Sequence, residues 1–308
     1  MKCPFIYRMP FQTTIRNPVE THGTGLHTAV KGRLRLLPAP ADTGIVFRRT
    51  DLSNFEIEAQ VGNVARVSYA TSLMRKGVLV STTEHLLAAL YSCQVDNCYV
   101  DLDALEVPIL DGSSQPFMEM LGQAGIQTLR RRRRYLQVRK PLEFSDGDRH
   151  IGIYPAGEFR VRCLIDFAHP AIGRQETELV VNRETFRHLL APARTFGFTA
   201  DFDKLRAMGL IRGGSLENAI VLDRDTITNP PLRFPDEFAR HKTLDLIGDL
   251  ALVGRPLKAQ VVAHKAGHAL HTQLVTRLLA DRSLWTESAE EAAPDKRRPA
   301  RAAVTAAD

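Results

Sequence analysis

The sequence contains no apolar run of about 18 residues, the length that a membrane-spanning helix needs. The N-terminus also lacks an apolar core followed by a small-residue cleavage site, so we expect no secretion signal. Cysteine is scarce, and Cys3, Cys93, Cys98 and Cys163 follow neither a zinc-type nor a disulfide-type spacing. We therefore expect a cytoplasmic protein whose thiols are reduced.

Acidic residues are fewer than basic ones, 35 against 41, but one feature explains most of the net charge of +6. The run Arg130 to Arg134 supplies five of these charges, and no aromatic residue interrupts it. A nucleic-acid-binding face would need basic residues dispersed over a surface, so this composition does not favour one. We interpret the run as a solvated connector between two domains. The second hypothesis is a contact with anionic lipid headgroups at the inner membrane surface, or with phosphate.

The hydrophobic pattern predicts an α+β fold. Leu34 and Leu36 alternate with Arg33 and Arg35, as expected of half-buried strands, and helical spacing begins near Ser81. The pattern restarts after the arginine run. Each half then contains a β-rich stretch, a helix with a histidine near its start, a strand and a closing helix. This order favours an internal duplication, and chance similarity of two apolar helices is the alternative.

The same pattern sets the predicted domain boundaries. We predict a first α+β domain at 1–129, the basic connector at 130–134 and a second α+β domain at 135–285. Residues 286–308 are rich in Ala, Glu and Arg and contain few apolar side chains. Such a composition cannot bury enough surface to fold, so it predicts a disordered tail.

The centre of the predicted site lies in a helix that Pro235 opens and that ends near Gly254. His241 and Asp245 stand four residues apart in it, so both side chains lie on one face, with Cβ atoms roughly 5–6 Å apart. An imidazole and a carboxylate at this separation can bind the same ion. Asp249 continues that face by one turn. Such a pair is more often an ordinary contact on a helix surface, so the chain must supply a third ligand.

The third ligand can come from either of two places in the sequence. The first is His85, which could bind the ion while its neighbour Glu84 faces the attacking water as a general base. The other is the group His264, His268 and His271. His268 follows a glycine at a strand-to-helix turn, where Asp249 could hold it protonated as an acid. Capping residues and satisfied core histidines are the alternative interpretation.

Several stretches together closely resemble the UDP-3-O-acyl-N-acetylglucosamine deacetylase family of bacterial lipid A synthesis. They are Gly23-Thr24-Gly25-Leu26-His27-Thr28, Ser81-Thr82-Thr83-Glu84-His85-Leu86, Asp111-Gly112-Ser113-Ser114, Arg194-Thr195-Phe196-Gly197-Phe198, Gly213-Gly214-Ser215, His241-Lys242-x-x-Asp245-x-x-Gly248-Asp249 and Ala266-Gly267-His268-Ala269-Leu270. Their order and spacing match the family from about Thr13 to Trp285. Two departures are Ala266, where the family most often has Ser, and the arginine run, which is heavier than the family's connector.

The resemblance implies a zinc-dependent amidohydrolase with two similar domains, each a two-layer sandwich of a β-sheet and helices, and an active site between them. The implied metal ligands are His85, His241 and Asp245. The implied catalytic groups are Glu84 as general base, His268 as the protonated group, Asp249 as its partner, and Thr195 as a hydroxyl donor to the oxyanion. The implied substrate contacts are Lys242, Lys265, Phe196 and Phe198.

The implied reaction removes the N-acetyl group from UDP-3-O-acyl-N-acetylglucosamine and releases acetate, as a step of lipid A and hence lipopolysaccharide biosynthesis. The implied partner is this UDP-linked acylated amino sugar, and we expect no nucleic acid. Zn²⁺ is the implied cofactor, and a His/His/Asp site would also accept Fe²⁺. The alternative function is a zinc amidase that acts on another N-acyl substrate.

Overall fold

The structure is a computed structural model that describes residues 10–289. In the N-terminal half, strands form where apolar and polar residues alternate: Leu34 and Leu36 are fully buried, while Arg33 is exposed. The strands are β1 (Phe11–Ile15), β2 (Val19–Thr24), β3 (Lys31–Pro38), β4 (Ile45–Arg49), β5 (Phe55–Glu58), β6 (Val64–Arg66), β7 (Ser72–Arg75), β8 (Val78–Val80), β9 (Cys98–Leu102) and β10 (Ile126–Arg132). The helices are α1 (Glu84–Ser92) and α2 (Gln115–Ala124). The main sheet has five strands in the order β2-β3-β9-β4-β5.

One central strand organises the C-terminal half. The strands are β11 (Arg134–Val138), β12 (Leu142–Asp146), β13 (Arg149–Pro155), β14 (Arg160–Phe167), β15 (Gly173–Val180), β16 (Phe196–Phe198), β17 (Ile220–Leu222), β18 (Leu257–His264) and β19 (Trp285–Ala289). The helices are α3 (Arg183–Thr185), α4 (Thr199–Ala207), α5 (Glu237–Leu250) and α6 (His268–Ala280). Along β18 buried and half-buried residues alternate, and the strand pairs with β11, β13 and β14 in a seven-stranded sheet.

Sheets and helices are combined in both halves, so the predicted α+β fold class is confirmed. The division into two domains stays a prediction. The helix predicted between Pro235 and Gly254 is α5, which packs against α1, α6, β14 and β15 and is buried along almost its whole length. Within residues 10–289, no helix is long and apolar enough to cross a membrane.

Two helices from the two halves, α1 and α5, approach each other closely at Gly248. A Cβ atom at this position would lie 2.1 Å from the backbone carbonyl oxygen of Glu84, which is far inside van der Waals contact. Close-packed interiors cannot absorb such an overlap without moving backbone. The missing side chain of Gly248 therefore sets the spacing of the two helices that carry the candidate metal ligands.

The arginine run differs from the predicted solvated connector, because it ends β10 and begins β11 and one of its residues is buried. Arg133 is only 3% exposed. Its guanidinium donates to the carboxylate of Asp96 at 2.9 Å and to the carbonyl of Gln94 at 2.7 Å, so the buried charge is compensated. Two exposed members form surface ion pairs, Arg131 with Asp42 and Arg134 with Glu287. A membrane contact through the run stays a prediction.

The prediction of a disordered tail at 286–308 is wrong for residues 286–289, which lie in a strand. Residues Trp285–Ala289 form β19, which pairs antiparallel with β11 along its whole length. An edge strand is held by backbone hydrogen bonds and can keep one face in water, so its polar sequence gave no strand signal. The rest of the predicted tail, 290–308, lies outside the described residues, as do residues 1–9.

Replacing Gly248 by alanine is expected to push α1 and α5 apart and to lower the free energy of unfolding by about 1–3 kcal/mol. The matched control is Gly122→Ala in α2, where an added Cβ meets no atom within 4 Å. That control should raise the free energy of unfolding by about 1 kcal/mol, because alanine is the better helix former. Urea unfolding measures both changes, and a Gly248→Ala protein as stable as the parent would contradict the close contact.

Candidate metal centre

Three side chains that can bind a metal meet where α1 contacts α5. His85 comes from the first turn of α1, and His241 and Asp245 come from successive turns of α5. One ligand atom from each residue lies within 4.8 Å of the other two. The Nε2 atoms of His85 and His241 are each 3.5 Å from Oδ1 of Asp245. The structure therefore brings His85, rather than the group His264, His268 and His271, to the pair on α5.

The protonation states at this position suit a cation. Nδ1 of His241 donates to the carbonyl oxygen of Ala193 at 3.0 Å, so Nε2 carries the lone pair. Burial lowers the pKa of His241 to about 3 and keeps the imidazole neutral. The pKa of Asp245 lies well below its ordinary value, because the charge of Lys242 outweighs the opposing effect of burial.

Asp245 has one oxygen with a partner and one without. Its Oδ2 accepts from Nζ of Lys242 at 2.8 Å, whereas Oδ1 is buried and has no hydrogen-bond partner among residues 10–289. A buried carboxylate oxygen without a partner is costly, and the lone pair on Nε2 of His241 beside it would repel it further. A divalent cation between Oδ1 of Asp245 and the two Nε2 atoms would remove both penalties, so these residues are suited to hold a metal ion.

A carboxyl group lies directly beside the candidate ligands. Glu84 is 3% exposed and precedes His85 at the start of α1. Its Oε2 accepts the backbone N–H of Thr71 at 3.1 Å. Burial raises the pKa of Glu84, which makes the carboxylate a stronger proton acceptor than an exposed one.

A second group of ionisable side chains shares one carboxylate. Oδ2 of Asp249 accepts from Nδ1 of His268 at 2.6 Å and from Nδ1 of His271 at 2.7 Å. Burial disfavours charge on His268, but Asp249 outweighs it and raises the pKa of His268 to about 9. Burial likewise opposes ionisation of Asp249, yet His268 and His271 bring its pKa down to about 2. This group is therefore an ion pair, His268 with Asp249, rather than a second set of free ligands.

These groups open into a cavity of about 490 Å³ that residues of both halves line. Of the eleven implied ligands, catalytic groups and substrate contacts, eight line it, namely Glu84, His85, Thr195, Phe196, His241, Lys242, Asp245 and His268. Three others do not, namely Phe198, Asp249 and Lys265. Lys265 instead forms ion pairs with Asp148 and Asp166 on the surface, and Phe198 packs against Phe167. Arg149, which sequence reasoning missed, lines the cavity and is exposed.

A further residue that sequence reasoning missed is Glu106, a carboxylate only 2% exposed. One of its oxygens accepts from the hydroxyl of Thr82 and the backbone N–H of His27, both at 2.9 Å. The other accepts from the N–H of Thr28 at 2.9 Å and from its hydroxyl at 2.7 Å. Thr82 has a left-handed backbone, with φ of 58°, two residues before Glu84. Glu106 therefore holds the segment with left-handed backbone that leads into α1. In the sequence, only its position as an acidic residue within an apolar stretch could have indicated this role.

The geometry defines a class of protein before any comparison. Buried His/His/Asp ligands, an adjacent carboxyl group and an ion-paired histidine around one cavity are typical of metal-dependent hydrolases.

Comparisons with known proteins identify the family. A family model described as UDP-3-O-acyl N-acetylglycosamine deacetylase matches residues 12–280. A protein of Solibacter usitatus named UDP-3-O-acyl-N-acetylglucosamine deacetylase is 54% identical over 278 residues, which cover 90% of this chain and 94% of that protein. A protein of the same name from Myxococcus xanthus is 46% identical, with 93% and 90% covered. The chain belongs to the UDP-3-O-acyl N-acetylglycosamine deacetylase family.

Replacing Glu106 by alanine should lower the free energy of unfolding by about 3 kcal/mol, because four donors would lose a charged acceptor in the interior. The matched control is Glu119→Ala on the exposed side of α2, which should change it by less than about 0.5 kcal/mol. Chemical denaturation gives both values. Similar small effects at the two positions would show that Glu106 does not hold this segment.

Proposed function

We propose that this chain is a metal-dependent deacetylase that removes the N-acetyl group from UDP-3-O-acyl-N-acetylglucosamine and releases acetate, in lipid A biosynthesis. Membership of the family and the names of the relatives support the substrate. The observation that carries the chemistry is the unpaired oxygen of Asp245, which faces two imidazole nitrogens beside the buried carboxyl group of Glu84.

The side chains of His85, His241 and Asp245 are the ligands that we propose for the metal ion. Two neutral imidazoles and one carboxylate suit Zn²⁺ and also Fe²⁺. When bound, such an ion supplies a Lewis acid that polarises the acetamide carbonyl and makes water more acidic. The neutral state of His241 and the ionised state of Asp245 mean that neither residue must change protonation to bind it.

Glu84 is the general base of the proposed reaction. It lines the cavity one residue from the ligand His85, so its carboxylate faces water that enters the site. The pKa of Glu84 is raised by burial, which favours transfer of a proton from the attacking water to the carboxylate. The N–H of Thr71 holds one carboxylate oxygen in place, and the other oxygen remains for this proton.

His268 is the acid of the proposed reaction. Its Nδ1 is bound by Asp249, so the opposite ring nitrogen is the one that can reach a substrate in the cavity. The raised pKa of about 9 keeps the ring protonated near neutral pH. A cationic ring stabilises the developing oxyanion and then provides a proton for the departing amine.

Thr195 is the proposed hydroxyl donor to the oxyanion. Its N–H donates to Gly112 at 2.8 Å and its carbonyl accepts from Ile220 at 2.8 Å, so the backbone on both sides is fixed. Gly112 has φ of 82°, and a Cβ there would collide with the carbonyl of Asn218. The glycine of the Asp-Gly-Ser-Ser motif therefore allows the Thr195 segment to lie at the cavity wall.

The proposed substrate contacts follow from what lines the cavity. Arg149 is exposed at its edge and can meet the diphosphate of the UDP group. Lys242 is held by Asp245 above the ring of Phe196, so its charge points toward the centre of the site. Phe196 provides an apolar wall. Roles for Lys265 and Phe198 stay predictions, because neither lines the cavity.

A zinc amidase that acts on another N-acyl substrate remains the alternative function. It shares the ligands and the base and differs only in what the cavity selects. Turnover of simple N-acetyl sugars at rates close to that of the UDP-linked sugar would favour this alternative, since the diphosphate contact would then contribute little.

Two substitutions separate metal binding from base catalysis. His241→Ala is expected to lose the metal and the activity together, because it removes a ligand. Glu84→Gln should keep the metal and lower kcat by about 10²–10⁴-fold, because it removes only the base. Elemental analysis of the purified proteins and initial rates with the UDP-linked sugar give the two readouts. A Glu84→Gln enzyme with near-normal kcat would rule out the proposed base.

The proposed acid makes the reaction pH-dependent. Because the pKa of His268 is raised to about 9, its protonated form persists through neutral pH, and kcat/KM should fall as pH rises above about 9. His268→Gln cannot lose this proton, so its lower activity should show no decline in that range. Rates measured from pH 6 to 10 test this. An unchanged alkaline decline in His268→Gln would assign the titration to another group.

A further inference from the structure

Thr71 lies next to the candidate site without lining the cavity. Its N–H, its hydroxyl and its carbonyl all form hydrogen bonds with neighbouring residues. The residue precedes β7 and is completely buried. Its N–H donates to Oε2 of Glu84 at 3.1 Å, and its hydroxyl donates to Oδ1 of Asp249 at 2.5 Å. Its carbonyl accepts from the N–H of Thr83 at 3.2 Å and from the hydroxyl of Thr83 at 3.1 Å. One residue thus contacts groups from α1 and α5 at once.

The direction of these hydrogen bonds follows from chemistry. The carboxylate of Asp249 can only accept, so Thr71 uses its single hydroxyl proton for that bond. The same hydroxyl oxygen lies 3.2 Å from Nδ1 of His268 and must therefore accept there. Nδ1 of His268 accordingly carries a proton, shared between Asp249 and Thr71. This arrangement leaves Nε2 as the ring nitrogen that can serve the substrate.

The two oxygens of Asp249 are divided between different partners. Oδ2 receives the two histidines, His268 and His271, whereas Oδ1 receives Thr71. Without the Thr71 hydroxyl, Oδ1 would be a buried anionic oxygen with no donor, and the carboxylate could rotate away from His268. The backbone N–H of Thr71 also holds the carboxylate of Glu84, so the proposed base and the partner of the proposed acid are both held by this one residue.

We propose that Thr71 is a positioning residue that sets the separation and orientation of Glu84 and the Asp249–His268 pair. The proposal rests on the proposed function, because it gives these groups their roles as base and acid. Thr71 touches neither the substrate cavity nor the three candidate ligands, so it acts only through the groups that it holds. A purely structural threonine would affect stability and leave the chemical step unchanged.

The test uses Thr71→Val, which keeps the side-chain shape and the backbone N–H and replaces only the hydroxyl with a methyl group. We expect kcat to fall by about ten- to a hundredfold, as for loss of a hydrogen bond to a charged group, with KM within about twofold. Thr71→Ser restores the hydroxyl and should recover kcat to within about fivefold. Metal content should equal that of the parent in both variants, because no ligand is altered.

The matched control is Thr243→Val. Thr243 is also completely buried, but its hydroxyl donates to a backbone carbonyl, that of Ala239, at 2.8 Å. We expect its kcat within about threefold of the parent. If Thr71→Val does not fold, Thr71→Cys replaces it, because a thiol is a weak donor of similar size, and the same loss of kcat is expected.

The outcomes separate this inference from the proposed function. A parent enzyme that turns over normally, with a Thr71→Val variant of equal kcat, would overturn the role of Thr71 alone. Equal losses in Thr71→Val and Thr243→Val would also overturn it, since any buried hydroxyl would then matter. A parent protein that does not deacetylate the UDP-linked sugar would instead overturn the proposed function.

Discussion

The close contact of α1 and α5 at Gly248 is the constraint on which the candidate site depends. It places the carbonyl of Glu84 against a helix position with no side chain, which fixes the first turn of α1 beside the C-terminal end of α5. His85 then reaches Asp245, and Glu84 lies over the same cavity. Neither helix could build the candidate site alone, because each carries only part of the set of candidate ligands.

The fold class and the helix that carries the centre of the candidate site could be predicted from local patterns. Period-2 alternation at Leu34 and Leu36 gave buried strand residues, and the i, i+4 spacing of His241 and Asp245 put both on one face of a helix that the structure contains. His85 required more than spacing. It was one of two candidate sets by residue type, and only the family resemblance chose between them before the structure placed it 3.5 Å from Asp245.

Other features depend on partners that are distant in the sequence and have no local signal. Arg133 is buried because Asp96 and Gln94 receive its charge, whereas its sequence context is a run of exposed arginines. Strand β19 exists because β11 offers a free edge, not because its own residues are apolar. Glu106 and Thr71 carry no motif, and their importance lies in the several backbone and side-chain donors and acceptors that they join. Such many-partner contacts are defined only by tertiary structure.

The division of the candidate ligands between α1 and α5 also has a consequence for synthesis of the chain. Glu84 and His85 leave the ribosome before His241 and Asp245, because α1 precedes α5 in the chain. A nascent chain therefore lacks the complete set of candidate ligands until α5 has emerged. Any product that terminates before α5 has neither His241 nor Asp245, so it cannot hold an ion with this ligand set.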